Sequence, residues 1–161
     1  MSLRLASRVA CAAVVALGFA TAPARAQIGS DRYSAIILDH RTGAALVAAS
    51  ADETRFPASL TKMMTLYMLF EQMRQGRLSL ASPIVMSDEA ASRPPSKLGV
   101  PAGNAITVEQ AILALVTRSA NDVAAAVGER IGGSEARFAQ MMTTRARSLG
   151  MTRTTFRNAS G

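Results

Sequence analysis

The sequence has one cysteine, one histidine, no tryptophan and only 4% aromatic residues among its 161 positions. Cys11 falls in a leader-like N-terminal stretch, so everything after it lacks a disulfide, a thiol nucleophile and a thiolate metal site. His40 is the single imidazole: no histidine-rich zinc cluster forms within one chain, and a Ser-His-acid triad would have to use this residue. It sits in Asp39-His40-Arg41-Thr42-Gly43, which reads as a surface turn. Long apolar runs are also missing. The charge-free stretch Val9 to Ala20 is shorter than the roughly 20 residues a membrane-crossing helix needs. At 49% hydrophobic residues the composition is that of one modest domain with a core, and it excludes a wholly disordered chain or a multidomain machine.

The N-terminus has the layout of a secretory leader. Arg4 and Arg8 precede the apolar run, and Ala24-Arg25-Ala26 supplies a small-x-small cleavage pattern, which predicts cleavage after Ala26, export to the periplasm or cell-envelope exterior, and a mature region of 27–161. The whole chain carries 18 Lys plus Arg against 11 Asp plus Glu, a formal charge of +7. Arg4, Arg8 and Arg25 leave with the leader, which reduces the excess to +4. Such a surplus suits weak attraction to an anionic wall or membrane, and without a concentrated stripe it gives no nucleic-acid footprint.

In the mature part, Tyr33 to Leu38 and Ala44 to Ala48 read as two strands of an antiparallel hairpin around the Asp39–Gly43 turn. A helix is predicted from Ser59 to about Arg74, with Leu60, Met63, Met64 and Tyr67 at the spacing of one core-facing stripe. The prolines of Arg93-Pro94-Pro95-Ser96 and Val100-Pro101 mark irregular segments. Thr107 with Gln110 forms a capping box ahead of a helix ending near Arg118. Further helices follow from Asp122 to Arg130, closed by Gly132-Gly133, and from a Ser134 cap until Gly150. The methionines from Met63 to Met86 read as core packing, and the arginines from Arg137 to Arg157 as solvated surface.

The sharpest chemical signal is Ser59-Leu60-Thr61-Lys62 at the start of the first helix. A separation of three residues is nearly one helical turn, so hydroxyl and amine point to the same side. A serine hydroxyl is a weak nucleophile; Lys62 activates it only if burial or neighbouring charge favours the neutral amine. The second signal is Ser119-Ala120-Asn121 between two helices, a place from which Ser119 can face a cleft and the Asn121 amide can be aimed at a substrate carbonyl or at Lys62. Each has a plain structural alternative, since serine and asparagine are ordinary helix caps.

Together, Ser59-x-x-Lys62 and Ser119-x-Asn121 resemble the first two signatures of the penicillin-interacting serine enzymes. The surrounding Ile37-Leu38-Asp39 through Thr42-Gly43, Phe56-Pro57-Ala58-Ser59-Leu60-Thr61-Lys62-Met63-Met64-Thr65, Leu115 to Asp122, Gly150-Met151-Thr152 and Phe156 to Gly161 are similar to serine D-Ala-D-Ala carboxypeptidases, the low-molecular-mass penicillin-binding proteins. The resemblance implies an α/β (α+β) β-lactamase/transpeptidase-like domain, a helical lobe packed against an antiparallel sheet of which residues 27–161 hold only the N-terminal hairpin. It implies Ser59 as nucleophile, Lys62 as its base, Ser119 as a proton relay, Asn121 as an orienting group, and the Ser59 backbone N–H as half of an oxyanion hole. The implied partners are a peptidoglycan stem peptide ending in D-Ala-D-Ala and β-lactam antibiotics as acylating inhibitors, with no metal and no organic cofactor. Many relatives also attach peripherally to the membrane through a C-terminal amphipathic segment, which this sequence does not contain.

The family's third signature, Lys-Thr-Gly on a late sheet strand, does not follow Asn121. Thr42-Gly43 is preceded by Arg41 and lies before the nucleophile, so it is no substitute. Loss of one oxyanion donor costs about 3 kcal/mol, and the substrate clamp goes with it. The expectation is that a complete version is acylated at Ser59 by a penicillin and that residues 27–161 alone react very poorly. Two other readings compete. A β-lactamase needs a water-activating Glu-x-x-x-Asn segment, and none follows Asn121; a non-catalytic wall-binding fragment would retain peptidoglycan binding after Ser59→Ala.

Overall fold

The computed structural model describes residues 33–161. The predicted leader, its cleavage site and Cys11 lie outside the described residues. The described residues divide into two units, one ending at Arg55 and the other running from Phe56 to Gly161.

In the first unit, β1 (Ala35–Leu38) and β2 (Ala45–Ala49) pair antiparallel, with Ala35 opposite Ala49, Ile37 opposite Val47 and a register shift between Ile37 and Leu38. The turn forms because Asp39 acts as a local acceptor. Its carboxylate takes the Thr42 backbone N–H at 2.7 Å and the Thr42 hydroxyl at 2.6 Å, which holds its acidity below the ordinary aspartate value. His40 is an exposed turn residue.

The second unit is a helical lobe. A single 3-10 turn, Ala58–Thr61, leads into α1 (Lys62–Arg74). A short ribbon of β3 (Pro83–Val85) and β4 (Ala105–Thr107) brackets the small helix α2 (Asp88–Ala91) and the proline-containing segment; α3 (Val108–Arg118), α4 (Asn121–Gly132) and α5 (Glu135–Ser148) follow. Sequence periodicity did not reveal β3, β4 or α2, because each has only three or four residues. The predicted caps are present: Thr107 and Gln110 form the reciprocal box, and the Ser134 hydroxyl accepts from the Arg137 N–H at 3.2 Å.

The centre of the lobe is α4. Every residue from Asp122 to Gly128 is buried, and α1, α2, α3 and α5 all pack on it. Its run Ala124-Ala125-Ala126 keeps the helix thin, so neighbours approach on all sides. At Gly132 an added Cβ would lie 2.8 Å from the Phe138 backbone nitrogen, so only glycine lets α5 start this close to α4. Phe138, Leu69, Ile84, Met86, Met142, Val108, Val123 and Val127 are fully buried in the core of the lobe.

The predicted inward stripe of α1 requires correction. Met64, Thr65, Met68 and Leu69 face the core, while Leu60 and Met63 are 66% and 68% exposed. The reason is Lys62: its amine is carried into the protein together with Thr65, and that rotates the Leu60-Met63 edge outward. Among the described residues no helix is long and apolar enough to cross a membrane, and no group of three or more His, Cys, Asp or Glu residues gathers into a metal-binding cluster.

Candidate active site

Ser59 lies in the 3-10 turn and is exposed; Lys62 opens α1 and is only 3% exposed. The backbone bends sharply before them. Ala58 has a φ of 49°, a left-handed conformation that costs an L-residue with a Cβ about 1–2 kcal/mol. Its strain is stored next to the serine rather than spread along the helix.

The Lys62 amine lies 3.2 Å from the Ser59 Oγ and donates to the Ser160 carbonyl at 3.0 Å. Among the described residues it has no carboxylate partner. Burial therefore pushes its basicity below the ordinary lysine value, because water is removed and no anion replaces it. A lysine of this kind can shed a proton and then receive one from a hydroxyl. The carbonyl fixes one N–H, which leaves the nitrogen lone pair free to point toward Ser59 when the amine is neutral.

Ser160 belongs to a strap, Asn158–Gly161, laid across the start of α1. The Thr65 hydroxyl, fully buried, donates to the Ala159 carbonyl at 2.7 Å. The Asn158 side chain accepts from the Ser160 and Gly161 N–H groups at 3.1 and 2.5 Å, and Glu135 accepts from the Ala159 N–H at 3.0 Å. Gly161, with a φ of 83°, sits so close to the Ala58 carbonyl that a Cβ would collide with it. The strap thus meets both the strained residue before Ser59 and the amine of Lys62.

Ser119 ends α3 in a left-handed conformation, φ 53°, and its half-buried hydroxyl is free of hydrogen bonds among the described residues. The helices on either side of it, α3 and α4, both pack against α1. Asn121 is turned to the proline loop. Its side-chain amide donates to the Pro94 and Pro95 carbonyls at 3.0 and 3.2 Å, and its backbone N–H donates to the Ser96 carbonyl at 2.7 Å. Both of its side-chain N–H donors therefore serve the proline loop, and no hydrogen bond joins it to Lys62. The adjacent Asp122 is fully buried, and its carboxylate accepts from the backbone N–H groups of Leu98, Gly99 and Val123 at 2.9, 2.8 and 2.9 Å. Asn121 and Asp122 together pin the 94–99 loop to the start of α4.

Of the residues singled out in the sequence, the structure brings Ser59 and Lys62 within hydrogen-bond reach of each other, while Thr65, Glu135 and the strap that surround them were not singled out. Thr65 left a signal, a polar residue on the buried side of an apolar helix, and Asn158 another, an asparagine ahead of Ala-Ser-Gly. Neither indicates the partner it finds in the fold.

A sequence profile of the D-alanyl-D-alanine carboxypeptidase family, peptidase family S11, matches residues 20–161. The chain is 30% identical to the D-alanyl-D-alanine carboxypeptidase DacF of Bacillus subtilis over 135 residues, 84% of this chain and 35% of that protein. It superposes on the crystal structure of the D-alanyl-D-alanine carboxypeptidase DacD from Francisella tularensis with a TM-score of 0.78 at 36% identity, covering 84% of this chain and 33% of that one. With penicillin-binding protein D2 from Listeria monocytogenes in its cefotaxime-bound form the TM-score is 0.69 at 31% identity, over 80% and 51% of the two chains. The chain spans about a third of the length of the curated relatives it matches. With a Ser-x-x-Lys pair joined at the mouth of a buried amine, a Ser-x-Asn connection on the helices beside it and a family match running to its last residue, this chain belongs to the D-alanyl-D-alanine carboxypeptidase family.

Proposed function

We propose that these residues carry the nucleophile half of a serine D-Ala-D-Ala carboxypeptidase that acts on peptidoglycan stem peptides outside the cytoplasmic membrane. The observation that carries the reading is the buried Lys62 amine, unpaired with any acid among the described residues and 3.2 Å from an exposed serine hydroxyl. In the proposed cycle the neutral amine takes the Ser59 proton as Oγ bonds to the penultimate D-Ala carbonyl carbon. The peptide C–N bond then breaks, and the proton passes by way of the Ser119 hydroxyl to the departing D-Ala nitrogen. Water hydrolyses the ester, giving its proton back through Lys62 and restoring the Ser59 hydroxyl. In this cycle the Ser59 N–H, in the 3-10 turn that leads into α1, donates to the negative charge that develops on the carbonyl oxygen. Asn121 acts through its grip on the 94–99 loop, which shapes the approach to Ser119.

A β-lactam presents a strained amide to the same serine, and the relative from Listeria monocytogenes is described in a cefotaxime-bound form, which supports β-lactams as acylating ligands for this chain. A Lys-Thr-Gly strand would supply the second oxyanion donor and the clamp for the substrate carboxylate. The test is intact-mass and peptide mapping after incubation with benzylpenicillin, on residues 27–161 and on a form carrying such a strand downstream of Gly161. A single adduct on Ser59 in the longer form, with little in the shorter one, supports the reading; rapid turnover of penicillin would favour a β-lactamase, and a longer form that stays unmodified while holding peptidoglycan would favour a binding module.

A further inference from the structure

The Arg93–Glu135 ion pair lies outside the constellation just described, yet it touches both of its supports. One carboxylate oxygen of Glu135 meets the Arg93 guanidinium at 2.5 Å; the other accepts the Ala159 N–H at 3.0 Å. The carboxylate is therefore divided between two segments distant in sequence. On one side Ala159 leads directly to Ser160, whose carbonyl takes the Lys62 amine. On the other, Arg93 leads directly to Pro94-Pro95-Ser96, the three residues whose carbonyls hold Asn121. The Glu135 side chain is only 10% exposed and that of Arg93 29%, so this contact is shielded from the solvent that weakens surface pairs. By contrast, the second partner of Arg93, Glu89, is 70% exposed. Glu135 also occupies the first turn of α5, where the unpaired N–H groups of the helix start favour an anion. Its position is thus fixed from three directions.

The geometry points to Glu135 and Arg93 as positioning residues: together they form a clamp that sets the strap behind Lys62 and the loop behind Asn121 in one fixed relation. This rests on the proposed function for its catalytic meaning, though not for its structural content. Neither residue touches Ser59 or Lys62. If the pair opens, the Ala159 N–H keeps an acceptor that is no longer anchored, the Ser160 carbonyl drifts from the amine, and the proline carbonyls loosen from the Asn121 amide. A displacement of about 1 Å in such a support is worth on the order of 100-fold in rate.

The test uses Arg93→Met, with Arg93→Lys as the conservative variant and Glu135→Gln as a second way to remove the ion pair while retaining an acceptor for Ala159. The readouts are the side-chain amide resonances of Asn121, the pH titration of the Lys62 ε-carbon resonance, and the acylation rate of a form carrying the third signature strand. Arg93→Met and Glu135→Gln should both shift the Asn121 resonances and displace the Lys62 midpoint from that of the parent, with Arg93→Lys restoring both. Acylation in the first two should fall by on the order of 10- to 100-fold and follow the displaced Lys62 titration. Either ion-pair variant folding with a lower melting temperature but with both resonances as in the parent would reduce the pair to ordinary stabilisation and overturn the clamp. If Arg93→Met fails to fold, Glu135→Gln decides on the same readouts. A parent that shows the clamp signature but takes no acyl group on Ser59 refutes the carboxypeptidase reading and leaves the clamp intact.

Discussion

Thr65→Val is the substitution that isolates the strap. Valine has the shape of threonine, so no cavity opens in α1, and the fully buried Thr65 hydroxyl is replaced by a methyl group. What is lost is the 2.7 Å bond to the Ala159 carbonyl, an acceptor in a fully buried residue. Stranding a buried carbonyl costs about 1–3 kcal/mol, against a total stability of about 5–15 kcal/mol for a domain. The upper end applies if the strap stays in place. The lower end applies if it swings out to reach water, and in that case the Ser160 carbonyl leaves the Lys62 amine. Stability loss and Lys62 disturbance therefore trade against each other. Urea unfolding followed by circular dichroism measures the first, and the pH titration of the Lys62 ε-carbon resonance the second. Thr65→Ser is the control: it retains the donor, loses one buried methyl worth about 0.8 kcal/mol, and should leave the Lys62 titration as in the parent. A Thr65→Val protein that matches the parent in both measurements would refute the reasoning.

Three further outcomes follow from named contacts. Asp122→Ala strands the N–H groups of Leu98, Gly99 and Val123; stability should fall by about 3 kcal/mol or more, and amide hydrogen exchange should quicken most at Leu98 and Gly99. Gly132→Ala drives a methyl into the Phe138 backbone and should cost about 1–3 kcal/mol in a thermal melt, whereas a neutral result would mean that α5 is not seated as described. Burial lowers the basicity of Lys62, so between its folded value and the unfolded value of 10.5 the unfolded chain binds more protons. Stability should accordingly rise with pH across that window and be lost again as pH falls through the folded value; Lys62→Met should flatten this part of the stability curve, and an unchanged slope would contradict a buried, unpaired amine.

The helical lobe was legible because its elements are long and their ends are marked by side chains. Thr107 with Gln110, Ser134 and the Gly132-Gly133 pair bound the helices close to where they begin and end. The Ser59 and Lys62 pairing was equally legible, since three residues of helix leave few ways to separate the two groups. The inward face of α1 was not. Counting apolar residues placed Leu60 and Met63 inside, and only the tertiary partners of Lys62 and Thr65 explain why the helix is turned the other way. The partners of Asn121 were hidden for a related reason: its hydrogen-bonding type is plain from the sequence, but that its N–H groups reach the proline carbonyls depends on how the 94–99 loop folds back. The Glu135 link to Ala159 joins residues 24 apart through a side chain and a backbone N–H, and no periodicity encodes such a contact.

The most direct test of the central claim is the site and extent of penicillin acylation in a form that carries a Lys-Thr-Gly strand downstream of Gly161, compared with the same form bearing Lys62→Met. Peptide mapping should place one acyl group on Ser59 in the former, and the rate should fall by about 100-fold or more in the latter, since a positioned general base contributes that much. Acylation of another residue, or a Lys62→Met protein that reacts as fast as its parent, would contradict the assignment of Ser59 and Lys62 as nucleophile and base.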